Sequence, residues 1–190
     1  MQTKTKDKKK DKNKGWNPFR SKWAAAIKIG LDVAPGAKDN LLYLGASAGT
    51  TVSHVAELTS GMIFAVENSS VMAISLIKLA EKRKNIAPLF CDARDTDYIK
   101  KAMFGKKINI LFQDIPSVDQ VEILIKASSL VDKDCRILFS LKTQSISQQN
   151  PEKTLKEATN KLKAHFDILK TENLEPYHKK HYFFILKKKA

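Results

Sequence analysis

Leu41-Leu42-Tyr43-Leu44-Gly45-Ala46-Ser47-Ala48-Gly49-Thr50-Thr51 is the stretch on which the fold turns. Four apolar residues run into a glycine, small residues follow, and helical spacing begins at Val52 and lasts to Thr59. A short apolar run before a turn reads as a strand. Glycine tolerates unusual dihedrals and lets a backbone come close to a ligand. The helix that follows aims its free amides back at the turn, which suits a carboxylate or a phosphate. A tight strand-to-helix turn with no ligand has the same look, so this segment alone leaves both readings open. The spacing is not Gly-x-Gly-x-x-Gly, which disfavours a nicotinamide enzyme.

Outward from this stretch, strand-like and helix-like segments alternate. Residues 62–67 are apolar and end at an acid. Residues 69–84 put Ala73, Ile77 and Ala80 on one helical face. Residues 86–91 form a third apolar run, interrupted by Pro88. Residues 95–104 read as a weaker helix, and 108–114 as a fourth strand ending at an acid. Residues 117–130 are helical, with Val121, Leu124, Ile125 and Ser128 on one side. Residues 134–142 form a fifth strand, and 151–164 a helix with Pro151 suited to its first turn. Two final strands, 165–174 and 181–188, are close enough in sequence to pair antiparallel. The expectation is an α/β protein: a doubly wound sheet of about seven strands, with the last strand antiparallel. In such sheets ligands bind beyond the carboxyl ends of the strands.

The chain has 190 residues, 43% of them hydrophobic, which rules out wholesale disorder. Lys and Arg number 34 against 20 Asp and Glu, a net charge of +14 that points to an anionic partner: RNA, DNA or an acidic surface. Residues 1–14 hold seven lysines and two aspartates, a net +5. They are expected to form a disordered lysine-rich tail, either solubilising or contacting RNA without reading bases. The remaining +9 falls on residues 15–190, expected to be one folded domain. Cys91 and Cys135 make no disulfide scaffold, and neither they nor the four histidines have metal-ligand spacing, so no metal is expected. His54 should pack or cap within the helix after the Gly-rich turn, and His165 and His178 read as surface residues. No run of about 18 apolar residues and no secretory-type apolar leader is visible, so an intracellular protein is expected.

The residues just past each strand form a set. Glu67 lies 22 residues beyond Gly45, where a carboxylate can accept both ribose hydroxyls of an adenosyl group or cap the next helix. Asp92, after the third strand, can accept from an adenine amino group or serve as a turn residue. Gly45, Ala46 and Gly49 with Glu67 and Asp92, in order on three strand ends, point to an adenosine cofactor without phosphates. S-adenosylmethionine fits, with its carboxylate near the loop. Asp114 leaves an apolar strand and is a candidate base. Lys142 finishes another and must find water or a partner, for which Asp114 is the candidate.

Several stretches resemble the fibrillarin family: Trp16-Asn17-Pro18-Phe19-Arg20-Ser21-Lys22, Tyr43-Leu44-Gly45 through Thr51-Val52-Ser53-His54-Val55, Phe112-Gln113-Asp114 and Leu174-Glu175-Pro176-Tyr177, with His181 soon after. The resemblance spans about residues 15–188. It implies a class I methyltransferase with a Rossmann-like fold, using S-adenosyl-L-methionine to methylate ribose 2′-hydroxyls of rRNA or tRNA. A box C/D guide RNA would choose the target RNA. A Nop-family scaffold protein and a kink-turn-binding ribosomal-type protein would complete the particle. Catalytic roles would fall on Lys22, Asp114, Lys142 and His181. Cofactor contacts would fall on Thr50, Thr51, Glu67, Asn68, Asp92, Ala93 and the segment Asp114, Ile115, Pro116, Ser117. The particle would be cytoplasmic in an archaeon, the favoured case, and nucleolar in a eukaryote.

The sequence departs from the family pattern in four places, one of them Thr143-Gln144-Ser145-Ile146-Ser147 after Lys142, which differs from the usual more basic or acidic version. Asn68 stands where an aromatic residue is usual, so a stacking contact on adenine is lost. Ile115-Pro116-Ser117 replaces Val-Ala-Gln, and Pro116 removes an amide donor. Against the family pattern, the lysine run is expected to stand in place of the usual N-terminal domain of archaeal members and the Gly/Arg-rich arm of nucleolar ones. Asn68 and Pro116 motivate the alternative of a catalytically degenerate scaffold subunit, against which the intact set of four catalytic residues argues. Another alternative is a class I methyltransferase with a different substrate.

Overall fold

A computed structural model describes residues 15–147 and 150–189; the expected tail at 1–14 lies outside the described residues. The first element is α1 (Lys22–Lys28). Ser21 caps it, its Oγ accepting from the Ala24 amide at 3.2 Å. Ala24, Ala25 and Ala26 are strong helix formers, and with Trp23 they bury one whole side of the helix. This helix precedes the alternation that begins at residue 41 and is not part of it.

The rest follows the alternation: β1 (Leu41–Leu44), α2 (Thr50–Leu58), β2 (Ile63–Glu67), α3 (Ser70–Lys82), β3 (Ile86–Phe90), α4 (Thr96–Ala102), β4 (Ile110–Gln113), α5 (Gln120–Ala127), β5 (Arg136–Lys142), a one-turn α6 (Thr143–Ile146), α7 (Pro151–His165), β6 (Phe166–Asn173) and β7 (His181–Lys188). Asn150 caps α7, with Pro151 in its first turn. The helix expected over 95–104 stops at Ala102, because Phe104 and Gly105 take left-handed backbone, φ 50° and 70°. The helix expected from 117 starts at Gln120 and ends in a 3₁₀ turn at Ser128–Leu130.

Among the described residues, seven strands form one sheet in the order β3-β2-β1-β4-β5-β7-β6. β1 to β5 are parallel, and β7 runs antiparallel to both β5 and β6. The last strand in sequence is thus wedged between β5 and β6. Pro88 lies in β3 at the sheet edge, where a missing amide does not break a ladder on both sides. The strand order reverses between β1 and β4, so a crevice opens there above the carboxyl ends.

Period-two alternation sorts the strand residues into two cores. Leu41, Tyr43, Ile63, Ala65, Phe112, Leu138 and Phe183 face α1, α2 and α3. Leu42, Leu44, Val66, Leu111, Phe139, Leu141 and Phe184 face α4, α5 and α7. Trp23 is fully buried against Phe112, with ring centroids 4.8 Å apart, and its indole N–H donates to the Val33 carbonyl at 3.0 Å. Burying such a ring contributes roughly 3 kcal/mol, which anchors α1 over the tip of β4.

Candidate active site

Five parallel strands deliver their tips to one rim, and the loops there bond to each other. Gly45 (φ +81°), Ser47 (φ 50°) and Gly49 (φ +87°) turn the chain sharply after β1. The Gly45 and Ala46 amides both donate to the Val66 carbonyl, at 3.0 and 2.9 Å. The Glu67 carboxylate accepts the Ser47 amide at 2.7 Å and the Ser69 amide at 2.8 Å. Ser69 is the N-cap of α3, so Glu67 joins the Gly-rich loop to the start of that helix. Glu67 thus supports the helix start, and it also lines a cleft.

That cleft, about 290 Å³, lies above the switch between β1 and β4. It is lined by Gly45, Glu67, Asn68, Asp92, Ala93, Asp114, Ile115 and Pro116, all singled out in the sequence, and by Ser47, Val66, Met72, Cys91 and Arg94, which were not. Ala46, Gly49, Thr50, Thr51 and Ser117 stand outside the lining. Ala46 and Thr51 are buried behind the loop, and the Thr51 hydroxyl donates to Ser21 Oγ at 2.9 Å. Ser117 turns its hydroxyl to Asp119.

Arg94 is the main feature that sequence reading missed. Its Nη1 donates to Asp92 at 3.0 Å, while its Nε and Nη2 grip both oxygens of Asp119 at 2.9 and 2.7 Å. The loop after β3 is thereby tied to the loop after β4. The hydrogen bond from Arg94, then that from Ser117, pulls the Asp119 pKa down to about 2. The only signal in the sequence was an arginine two residues past a strand-end aspartate, which needs its spatial partner to mean anything. The Cys91 thiol on the cleft wall has its pKa pushed up to about 11, by burial first and then by Asp95 and Asp92. At neutral pH it is an inert thiol.

Beside the cleft, on the α1 face of the sheet, four groups gather. The Lys22 ammonium lies 3.0 Å from the Asp114 carboxylate; the two side chains are 28% and 15% exposed. This corrects the expected partner of Asp114: the carboxylate pairs with Lys22 and not with Lys142. α1 crosses the tip of β4 and sets its first residue on the carboxylate. Lys142, half-buried, reaches solvent. Gln113 pairs with Phe139, so Asp114 stands level with Ser140, and Lys142 projects from the same face two residues further out. His181 is the antiparallel partner of Lys142. The Lys142 backbone turns away from β7 toward Gln120. The two residues therefore form a non-hydrogen-bonded pair, the kind in which side chains come closest.

His181 Nδ1 donates to the Lys179 carbonyl at 2.8 Å, leaving Nε2 of the neutral ring as an acceptor. His178 is no mere surface residue as expected: it is half-buried, and its Nε2 donates to the Pro18 carbonyl at 2.8 Å. His54 stacks on Trp16 with ring centroids 5.5 Å apart, and His165 is exposed, as read from the sequence. Among the described residues no cluster of three or more His, Cys, Asp or Glu could hold a metal ion.

Burial, and then the Lys22 ammonium, lowers the pKa of both His178 and His181 below the ordinary 6.5. Just below that pH the unfolded chain binds more protons than the folded one, so stability falls on acidification. The thermal midpoint is expected to be flat above about pH 7 and to fall below about pH 6.5. The fall should be shallower in a His178→Gln/His181→Gln variant. Equal slopes in the two proteins would show that these rings do not couple to folding.

The fibrillarin family profile matches residues 2–190. The chain is 35% identical over 180 residues to the fibrillarin-like rRNA/tRNA 2′-O-methyltransferase of Pyrococcus abyssi, spanning 91% of this chain and 78% of that one. It is similar to a fibrillarin solved as a fibrillarin/Nop5p complex, with TM-score 0.86 and 34% identity over 91% of this chain and 83% of that one. Aeropyrum pernix fibrillarin, solved with natively bound S-adenosyl-L-methionine, matches with TM-score 0.81 and 26% identity over 90% of this chain and 76% of that one. The architecture is the Rossmann-like fold of class I methyltransferases.

Proposed function

The chain belongs to the fibrillarin family, and from that premise we propose that it methylates ribose 2′-hydroxyls of RNA using S-adenosyl-L-methionine. The observation that carries this reading is the Lys22–Asp114 pair at 3.0 Å on the rim of the cleft, with Lys142 and His181 paired on the same sheet face.

The cleft fits the cofactor by shape and by donor set. A Cβ on Gly45 would lie 2.5 Å from the Asp114 carbonyl oxygen, so only glycine leaves this wall clear. Glu67 keeps lone pairs for a ribose, and Asp92 stands at the far end. Met72, Ile115 and Pro116 supply apolar walls for a purine in place of the aromatic that Asn68 lacks. Ser47 and the other loop residues stand near the amino-acid end. When bound there, the cofactor supplies an electrophilic methyl group.

The rest of the chemistry belongs to the chain. A ribose hydroxyl is a weak acid and a poor nucleophile. Asp114 accepts its proton, and a positioned base of this kind contributes a factor of about 10²–10⁴. Lys22 orients the carboxylate. Lys142 stabilises negative charge growing on the oxygen. Neutral His181, with Nε2 free to accept, orients the ribose or the lysine.

Residues 15–190 form the catalytic domain in this reading, with 1–14 a basic tail. The protein works as the catalytic subunit of a box C/D particle: guide pairing chooses the nucleotide, and this chain supplies a basic surface and one site. The fibrillarin/Nop5p complex of a relative supports a Nop-family scaffold as partner. The archaeal relatives support a cytoplasmic particle. The test is tritiated methyl incorporation into a target RNA, with and without scaffold and guide RNA. Incorporation at the guided ribose is expected. No incorporation from a complete particle, together with lost cofactor binding by calorimetry, would favour the degenerate scaffold reading.

A further inference from the structure

Gln120, the first residue of α5, is fully buried although its side chain is polar. Its carboxamide has a defined use. Oε1 accepts the Lys142 backbone amide at 2.9 Å, and Nε2 donates to the Lys142 carbonyl at 3.0 Å and to the Ser117 carbonyl at 2.8 Å. The strand pairing explains why such a group is needed. β4 ends at Gln113, opposite Phe139, while β5 runs on through Ser140 and Leu141 to Lys142. Past Phe139, β5 has no strand on its β4 side, so the amide and carbonyl of Lys142 on that side lack a ladder partner. The carboxamide of Gln120 takes the place of the missing strand. Gln113 steadies it from below, its Nε2 donating to the Gln120 carbonyl at 2.6 Å.

We propose that Gln120 is a positioning residue for Lys142: it fixes the last residue of β5 and locks it to the cleft loop through Ser117. The proposal rests on the catalytic reading above for its kinetic consequence, but its structural content stands apart from it. Without the carboxamide, the main chain at Lys142 keeps its place as N-cap of α6 and its hold from the β7 side, where the Thr143 amide and hydroxyl donate to the Lys180 carbonyl at 3.2 and 3.1 Å, but it loses its tie to the cleft loop. The ammonium then samples a wider arc, and the Asp114–Ser117 loop loses its link to β5. A displacement of about 1 Å is enough to lower a rate about a hundredfold.

Two readouts test this on the full chain. The first is amide hydrogen exchange at Lys142. In Gln120→Leu it is expected to speed up about five- to tenfold relative to wild type, while β1 amides keep their protection. Unchanged exchange at Lys142 overturns the proposal whatever the activity. Gln120→Glu, which keeps the acceptor but loses the donors, serves if the leucine variant does not fold; it should show a smaller acceleration, and none would overturn the proposal equally. The second readout is methyl transfer in the reconstituted particle. Gln120→Leu should lower kcat about a hundredfold with KM for S-adenosylmethionine within about twofold. In a Lys142→Ala background it should add at most about threefold, the part owed to the freed Ser117 loop. A further tenfold loss in that background, or an unchanged kcat beside accelerated exchange, overturns the kinetic half. A fully active Lys142→Ala protein would instead sink the catalytic reading and leave the exchange result to judge the placement.

Discussion

Asp114→Ala is expected to lower guided methyl transfer by about 10²–10⁴-fold, and Asp114→Asn by nearly as much. The carboxylate stands at the tip of β4, mostly buried, with its backbone amide bonded to the Leu44 carbonyl at 3.0 Å and its side chain on Lys22. Asparagine keeps the size of the side chain and an oxygen that can accept from Lys22, but it has little capacity to take a proton. The two variants therefore separate geometry from proton transfer. Asp114→Asn should retain its thermal midpoint and its affinity for S-adenosylmethionine while losing turnover in single-turnover assays. Asp114→Ala should also lose some order at α1, since the Lys22 ammonium is left without its partner. The Lys22–Asp114 pair is partly exposed, so that stability loss is modest, within about 1 kcal/mol. An Asp114→Asn particle running at a third of the wild-type rate would show that the proton leaves by another route.

Gly45→Ala is expected to damage both the fold and the cleft. The residue has φ +81°, and a Cβ there would lie 2.5 Å from the Asp114 carbonyl oxygen and 2.8 Å from Ile115 Cγ1. Left-handed strain and overpacking each cost about 1–3 kcal/mol, and here the obstacle is backbone, which cannot swing aside as a flexible side chain does. For a chain of this length the combined loss lowers the thermal midpoint by roughly 10 °C. The relief available is to push the β1 loop away from the β4 loop, which distorts the wall of the cleft, so calorimetry should find cofactor binding largely lost. Gly30→Ala is the control. It has φ +95° with no atom within 4 Å of an added Cβ, so it isolates the backbone strain of about 1 kcal/mol. A Gly45→Ala protein that melts and binds like Gly30→Ala would show that the close approach to β4 is not needed.

The strand tips were legible because their signal is local. Leu41–Leu44 and Ile63–Glu67 are buried along their whole length, so each reads as an unbroken apolar run whose end is marked by a glycine or an acid. Strand ends marked in this way set Gly45, Glu67, Asp92, Asp114 and Lys142 on one rim from the sequence alone. Helix ends were less legible where a loop competes for the same residues: Ser117 and Asp119 are taken by Arg94, so α5 begins later than the apolar spacing alone suggests.

The sequence by itself determined the alternation, the doubly wound sheet, the antiparallel last strand and the strand-end residues, since periodicity and chain direction encode these within a dozen residues. Only the tertiary structure decided who meets whom: Lys22 on Asp114, His181 beside Lys142, Arg94 across the cleft mouth and Gln120 at the end of β5. Each of these contacts depends on strand order, on where one strand stops short of its neighbour, or on a helix crossing another element's tip. Such relations are set by packing between segments distant in the chain, and no local pattern of residues carries them.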